Sequence, residues 1–212
     1  MSTYVNDTPT IQLDSLLRHM AIHVPQVPYV VALDLVRERF KELARKSSLL
    51  VAFVKLPIQA GVNNYFLEAP EGYDIFSVKA AGHPMGWQWQ HADAHHWFSS
   101  WGYRFWVKDN TEVVFDRTPS SDEAERYLLL TVIPSDCAAT IPVSVAGPYG
   151  QAIAAGAVAD ALRMPQKAWS NPNPNLAQSY ELKFQRAAMS ARNLAITNRG
   201  AITPEMRPIR IL

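Results

Sequence analysis

An α+β fold is predicted by three observations. The hydrophobic period is close to 3.6 between residues 10 and 47, falls to two between Leu49 and Pro134, and returns to the helical value from residue 142 onwards. Confining the strands to one middle block argues against the alternating strand and helix order of a parallel sheet. The expected architecture is an antiparallel helix bundle of about four helices with an inserted, mainly antiparallel β-sheet region and an extended C-terminal tail. In residue terms, 1–48 holds the N-terminal helices, 49–134 the β-rich insertion, 135–199 the C-terminal helices and 200–212 an extended arm.

The first helix is expected over residues 10–23, where Leu13, Leu16, Leu17 and Met20 stand at helical spacing before Val24-Pro25 ends the run. From Pro28, a good first-turn residue, Leu33, Val36, Phe40 and Leu43 recur at three and four. Asp34, Arg37, Glu38, Lys41 and Glu42 cover the other faces of this second helix, which ends near Ser47. The runs LLVAFVKLPI, NNYFLEAP, YDIFSVKA, YRFWVKDNTEVVF and RYLLLTVI then read as strands, and Asp109-Asn110 is placed to turn a hairpin. Hairpins of this kind imply local pairing within a small sheet.

Residues 142–163 form a third helix unusually rich in small side chains, among them Gly150, Ala154, Gly156 and Ala157, with Pro148 starting or kinking it. Such a stripe permits close approach either to a helix of the same chain or to another subunit. After the Pro/Asn loop QKAWSNPNPN, a fourth helix carries Leu176, Tyr180, Phe184, Ala188 and Ala191 on one face to about Thr197, and Gly200 stops it. In AITPEMRPIRIL two prolines prevent a regular helix, while Ile202, Met206, Ile209, Ile211 and Leu212 make the segment apolar, the kind that orders on a partner.

Composition narrows the function classes. The chain has 212 residues, 48% of them hydrophobic, which suffices for one sizeable domain. A net charge of +1 gives no electrostatic footprint for tight nucleic-acid binding. Cys137 is the single cysteine, so neither an intrachain disulfide nor a thiolate cluster is available. MSTYVNDTPTIQLDS lacks the basic and apolar runs of a secretory signal, and no stretch approaches the roughly 20 apolar residues of a membrane span. The expectation is a soluble product made in the cytoplasm, without a membrane partner.

The stretch GWQWQHADAHHWFSSWGYRFW, residues 86–106, concentrates five tryptophans and three histidines. His91, Asp93, His95 and His96 have metal-ligating side chains, but no HExxH pattern accompanies them and their neighbours are aromatic rather than acidic. Trp87, Trp89, Trp97 and Trp101 offer a stacking platform for sugars. Aromatic runs more often fill a core edge or a subunit interface. Asp122, Glu123 and Glu125 read as a solvated turn or helix start, and the sequence contains no GxSxG, GxxxxGK[ST] or GxGxxG motif. No enzyme, cofactor or metal is expected. The alternatives are a protein that binds carbohydrate or a host surface through the tryptophans and, behind it, a metal-dependent hydrolase built on His91 to His96.

The order of parts has a further implication. Two N-terminal helices, an inserted sheet, the join YLLLTVIPSDCAATIP, the small-residue helix YGQAIAAGAVADALRMPQKAWSNP, the helix LAQSYELKFQRAAMSARNLAITNRG and an extended tail together resemble the head-to-tail adaptor proteins of tailed bacteriophages. Within that group the chain is most similar to the adaptors of short-tailed phages, the tail tubular protein A or gatekeeper-type neck proteins. The resemblance spans residues 28–212, is most specific from Tyr127 to Gly200, and is one of pattern and order, with no catalytic motif behind it.

The resemblance implies a ring, dodecameric in the family, that sits at the head–tail junction of the virion, below the portal protein. It joins the portal to the next tail component, a nozzle or tail tube protein, and lets genomic DNA pass through its lumen without sequence-specific binding. The C-terminal segment of family members reaches the portal, which assigns Arg199, Ile202, Met206, Arg207, Ile209, Arg210, Ile211 and Leu212 to portal binding. Trp87, Trp89, Trp97, Trp101 and Trp106, with Gly150, Ala154, Gly156 and Ala157, become candidates for subunit or tail interfaces.

Overall fold

The structure is a computed structural model describing residues 3–5, 8–82, 98–100, 103–164 and 174–197. These form β1 (Thr3–Tyr4), β2 (Thr10–Gln12), a 3-10 turn (Leu13–Leu16), α1 (Leu17–Ala21), α2 (Tyr29–Ser47), β3 (Leu50–Ile58), β4 (Asn64–Phe66) and β5 (Tyr73–Gly82). Next come β6 (Phe98–Ser100), β7 (Tyr103–Lys108), β8 (Glu112–Phe115), β9 (Glu123–Pro134), β10 (Thr140–Pro142), α3 (Val143–Arg163) and α4 (Pro174–Thr197). The fold is α+β, as the change of period predicts.

The strand block builds two sheets rather than one. The first has the order β1-β3-β9-β5 and the second β4-β8-β7-β6. In the second, β6–β7 and β7–β8 are hairpins of consecutive strands, the latter turning at Asp109 and Asn110 with the positive φ values, 51° and 60°, of a type I′ turn, whereas β4 pairs with the distant β8. Pairing in the first is not local: β3 runs antiparallel to β9, with Val51 opposite Thr131, and β5 flanks β9 on its other side. The expectation of hairpin pairing throughout is therefore corrected. Leu128 to Ile133 are buried on both faces of a central strand, and such a strand requires two neighbours wherever they lie in the chain. Pro57, which has no N–H to donate, falls at the break in register between Leu56 and Ile58.

The N-terminal region is less helical than its spacing predicts. Ile11 pairs with Ile141 in a β2–β10 ribbon, and β1 joins the first sheet parallel to β3, the one parallel pair among the described strands. Residues 10–23 thus divide into a strand, a 3-10 turn and a five-residue helix. Leu13, Leu16 and Met20 are nevertheless buried, because a 3-10 turn followed by a short helix still returns them to one side. The acidic group near residue 122 begins strand β9 and not a helix, and the Asp122 carboxylate accepts a hydrogen bond from the Ala60 amide at 2.7 Å.

The three long helices match their expected ranges to within two residues, and α3 runs through Pro148 from a start at Val143. Val36, Phe40 and Leu43 of α2, Ile153, Ala157 and Val158 of α3, and Phe184, Ala188 and Ala191 of α4 share one core with Leu128, Leu130 and Val132 of β9. Phe105, Val113 and Phe115 of the second sheet belong to the same core, Tyr65 meeting Phe115 edge to face at 5.6 Å. Val51, Ala80 and Leu129 form a smaller cluster. On α4, Ala177 takes the buried position expected of Leu176, which is exposed.

Candidate interaction surfaces

The helices meet around a charged centre. Arg39 of α2 is buried, although its neighbours in sequence are the residues expected on the solvent side. Its guanidinium pairs with both oxygens of Asp160 on α3, reaches Glu181 on α4 at 2.8 Å and Glu42 on its own helix at 2.8 Å, and lies 4.9 Å from the Phe184 ring centre. Burial opposes the charge on Arg39, yet hydrogen bonds and attraction from Asp160, with Glu181 and Glu42, raise its pKa above the ordinary value. Burial likewise opposes ionisation of Glu181. Hydrogen bonds from Gln185 and Arg39 outweigh it and hold that carboxyl below its usual range. Lys41, expected at the surface, is also buried and pairs with Asp136, whose pKa it lowers.

The small residues of α3 accommodate this centre. A Cβ at Gly156 would lie 3.0 Å from Arg39 Cδ and 3.1 Å from the Phe184 ring, and one at Gly150 would lie 2.9 Å from Leu16 Cδ2. Ala154 and Ala157 are buried as well. Of the two roles open to the small-residue stripe, the structure shows the intrachain one, because all four positions are covered by their own chain.

Between α1, α3 and α4 lies an open groove of about 430 Å3, lined by His19, Ile22, His23, Gln151, Tyr180 and Lys183 among others. The Tyr180 hydroxyl is 2.9 Å from His23 Nδ1, and Lys183 Nζ lies 5.0 Å from the centre of the Tyr180 ring. The floor of the groove is made by Ala152, Ala154 and Ala155 of α3. The sequence offered no signal for it, since His19 and His23 are far from Tyr180 in the chain.

Two helix faces are apolar and exposed. On α4, Leu182, Met189 and Ile196 recur every seven residues and are 48%, 65% and 45% exposed. Lys183, Arg186 and Arg192 accompany them on the exposed side. At the start of α2, Tyr29 and Val30 are 59% and 67% exposed, beside Asp14, Asp34 and Glu38. Tyr29 donates to Asp14 at 3.4 Å, and Arg37 holds Asp34 at 2.6 Å.

Of the residues singled out in the sequence, Trp106 lies half-buried in β7, opposite Val114 of β8. Trp87, Trp89, Trp97 and Trp101, the group His91, Asp93, His95 and His96, and the segment from Arg199 to Leu212 lie outside the described residues. Among the described residues no group of three or more metal-ligating side chains comes together, and no helix is long and apolar enough to cross a membrane. Cys137 is exposed, 3.2 Å from Ser135 Oγ. No protein-family model matches the chain, and no curated protein matches it.

Proposed function

We propose that the chain is a structural head-to-tail adaptor of a phage virion, forming a ring under the portal that joins head to tail and passes DNA through its lumen. The observation that carries this reading is the order in which the chain builds its core. Helix α2 packs against α3 and α4, although the whole strand-rich region from Leu50 to Pro134 intervenes between them in sequence. A helical body assembled from both ends of a β-rich insertion is the organisation of the adaptors that the sequence resembles. A net charge of +1 suits a protein that lets DNA slide past, since many tight phosphate contacts would retard it.

In this reading the apolar, arginine-bearing segment from Arg199 to Leu212 docks on the portal. The tryptophan-rich stretch contacts a neighbouring subunit or the next tail component, where large aromatic side chains act as anchors.

The test is the light-scattering mass of the purified protein, alone and mixed with the portal protein of the same genome, with electron microscopy of any complex. A ring stacked coaxially on the portal is expected, and a persistent monomer without portal affinity overturns the proposal. Deleting residues 201–212 is expected to leave a folded domain that no longer co-purifies with portal. Full portal occupancy by the truncated chain refutes the assignment of the arm.

A further inference from the structure

We propose that the outward face of α4 in one copy docks on the N-terminal half of α2 in the next copy, a heterologous contact that uses two different surfaces of the same chain. This deepens the adaptor reading and rests on it, by naming the surfaces through which the ring would close.

The argument begins with α4. Leu182, Met189 and Ile196 lie on the side of the helix turned away from Tyr180, Phe184 and Ala188, which enter the core. At a rise of about 1.5 Å per residue the stripe is about 21 Å long, the length of a helix-in-groove contact. At about 20° of drift per seven residues the three side chains stay on one face of the helix. The charges beside it are of one sign: Lys183, Arg186 and Arg192 are exposed, and the single acid of α4, Glu181, is engaged by Arg39 and Arg163. Among the described residues no ion pair engages Arg186 or Arg192.

Pairing α4 with its own copy about a two-fold axis would set these cations against one another, which electrostatic complementarity disfavours. The face therefore calls for an apolar surface with acidic flanks, and the chain carries one. Tyr29 and Val30 are exposed at the start of α2, with Asp14, Asp34 and Glu38 near them; of the basic residues in this part of the helix, Arg37 is turned to Asp34 and the Ala138 carbonyl, while Arg39 and Lys41 are buried against carboxylates of their own chain. Asp34 keeps 60% of its side chain exposed despite its bond to Arg37, and among the described residues Glu38 makes no ion pair. Both helices turn their buried residues into one shared core and leave these apolar residues outside it. Contact between unlike faces repeats from copy to copy, and the repeat closes into a ring when the rotation allows it.

The experiment reverses the charges on one face at a time in the full chain. One variant is Arg186→Glu/Arg192→Glu and the other Asp34→Arg/Glu38→Arg. Each is checked for unchanged melting as a monomer and then measured by light scattering with and without the portal of the same genome. Each variant alone is expected to assemble at least about tenfold more weakly than the unaltered chain, because like charges now meet. An equimolar mixture is expected to recover assembly beyond the dimer, since the unaltered α4 and α2 faces meet at one junction and the two reversed faces, now acidic α4 and basic α2, are complementary at the next.

Undiminished assembly of both variants overturns this contact and leaves the adaptor reading standing. A mixture that stops at dimers overturns it in favour of a two-fold α4 contact. Loss of duplex DNA retention by Arg186→Glu/Arg192→Glu, with assembly intact, overturns it in favour of a DNA-facing helix. Lower monomer melting in the α4 variant overturns it in favour of a face covered by the same chain. An unaltered chain that stays monomeric with and without portal overturns both the contact and the adaptor reading.

Discussion

At the scale of single residues, Gly156 shows what the packing of α3 demands. A methyl group there would meet Arg39 Cδ at 3.0 Å and the Phe184 ring at 3.1 Å, and neither gives easily, since Phe184 is wholly buried and Arg39 is held by three carboxylates. Gly156→Ala is expected to lower stability by about 1–3 kcal/mol through overpacking, despite alanine's better helix propensity. Urea unfolding of the variant measures the loss. The sequence showed that this helix needed small residues, but not which of them were in contact, because the partners come from two other helices.

Arg39 was still less legible. An arginine inside an amphipathic pattern reads as solvent-facing until Asp160 and Glu181, more than a hundred residues away, are seen to surround it. The cluster sets an acid limit on stability. Glu181 titrates below its ordinary value of 4.5 in the folded chain, so its contribution is present above that value and is lost as the pH falls through the lower, folded one. Glu181→Gln should therefore melt earlier than the unaltered chain at neutral pH. The difference should shrink below about pH 4.5, which melting temperature measured against pH will show.

At the scale of elements, the type I′ turn of β7–β8 places Asp109 and Asn110 at positive φ, where a side chain is least welcome at the second position. Asn110→Gly is expected to stabilise the hairpin by up to about 1 kcal/mol, read as a rise in melting temperature with no change in the urea slope. That turn was legible because its chemistry is local, and so were the long helices, whose buried faces repeat within each helix. Strand existence was legible for the same reason. Strand partners were not: the apolar run LLLTVI announces a strand buried on both faces and says nothing of whether β3, β5 or β8 lies beside it. The short strands β1, β2 and β10 left no periodic trace, and only their pairing defines them.

At the scale of the whole molecule, the change of period from helix to strand and back located the β-rich insertion closely, since hydrophobic periodicity averages over many residues. It did not reveal that the insertion divides into two sheets or that the N-terminal residues return to pair with β3 and β10. The outward faces of α2 and α4 were hidden for a different reason. Leu182, Met189 and Ile196 look like core residues in a sequence, and only the positions of Tyr180, Phe184 and Ala188 reveal that they are surplus to the core. The assembly experiments belong to this scale, because a charge reversal there should change the mass of the particle and leave the subunit's melting untouched.

The pairing of Val51 with Thr131 also governs the time at which the protein can begin to fold. During synthesis β3 leaves the ribosome some 80 residues before its partner strand, an interval of about 4–16 s at roughly 5–20 residues per second. Throughout it an apolar strand waits with an unpaired edge, and α2 waits longer still for α3 and α4. An apolar edge left open over that interval is a site where nascent chains can associate before the fold closes, so slower synthesis is expected to lower the soluble yield.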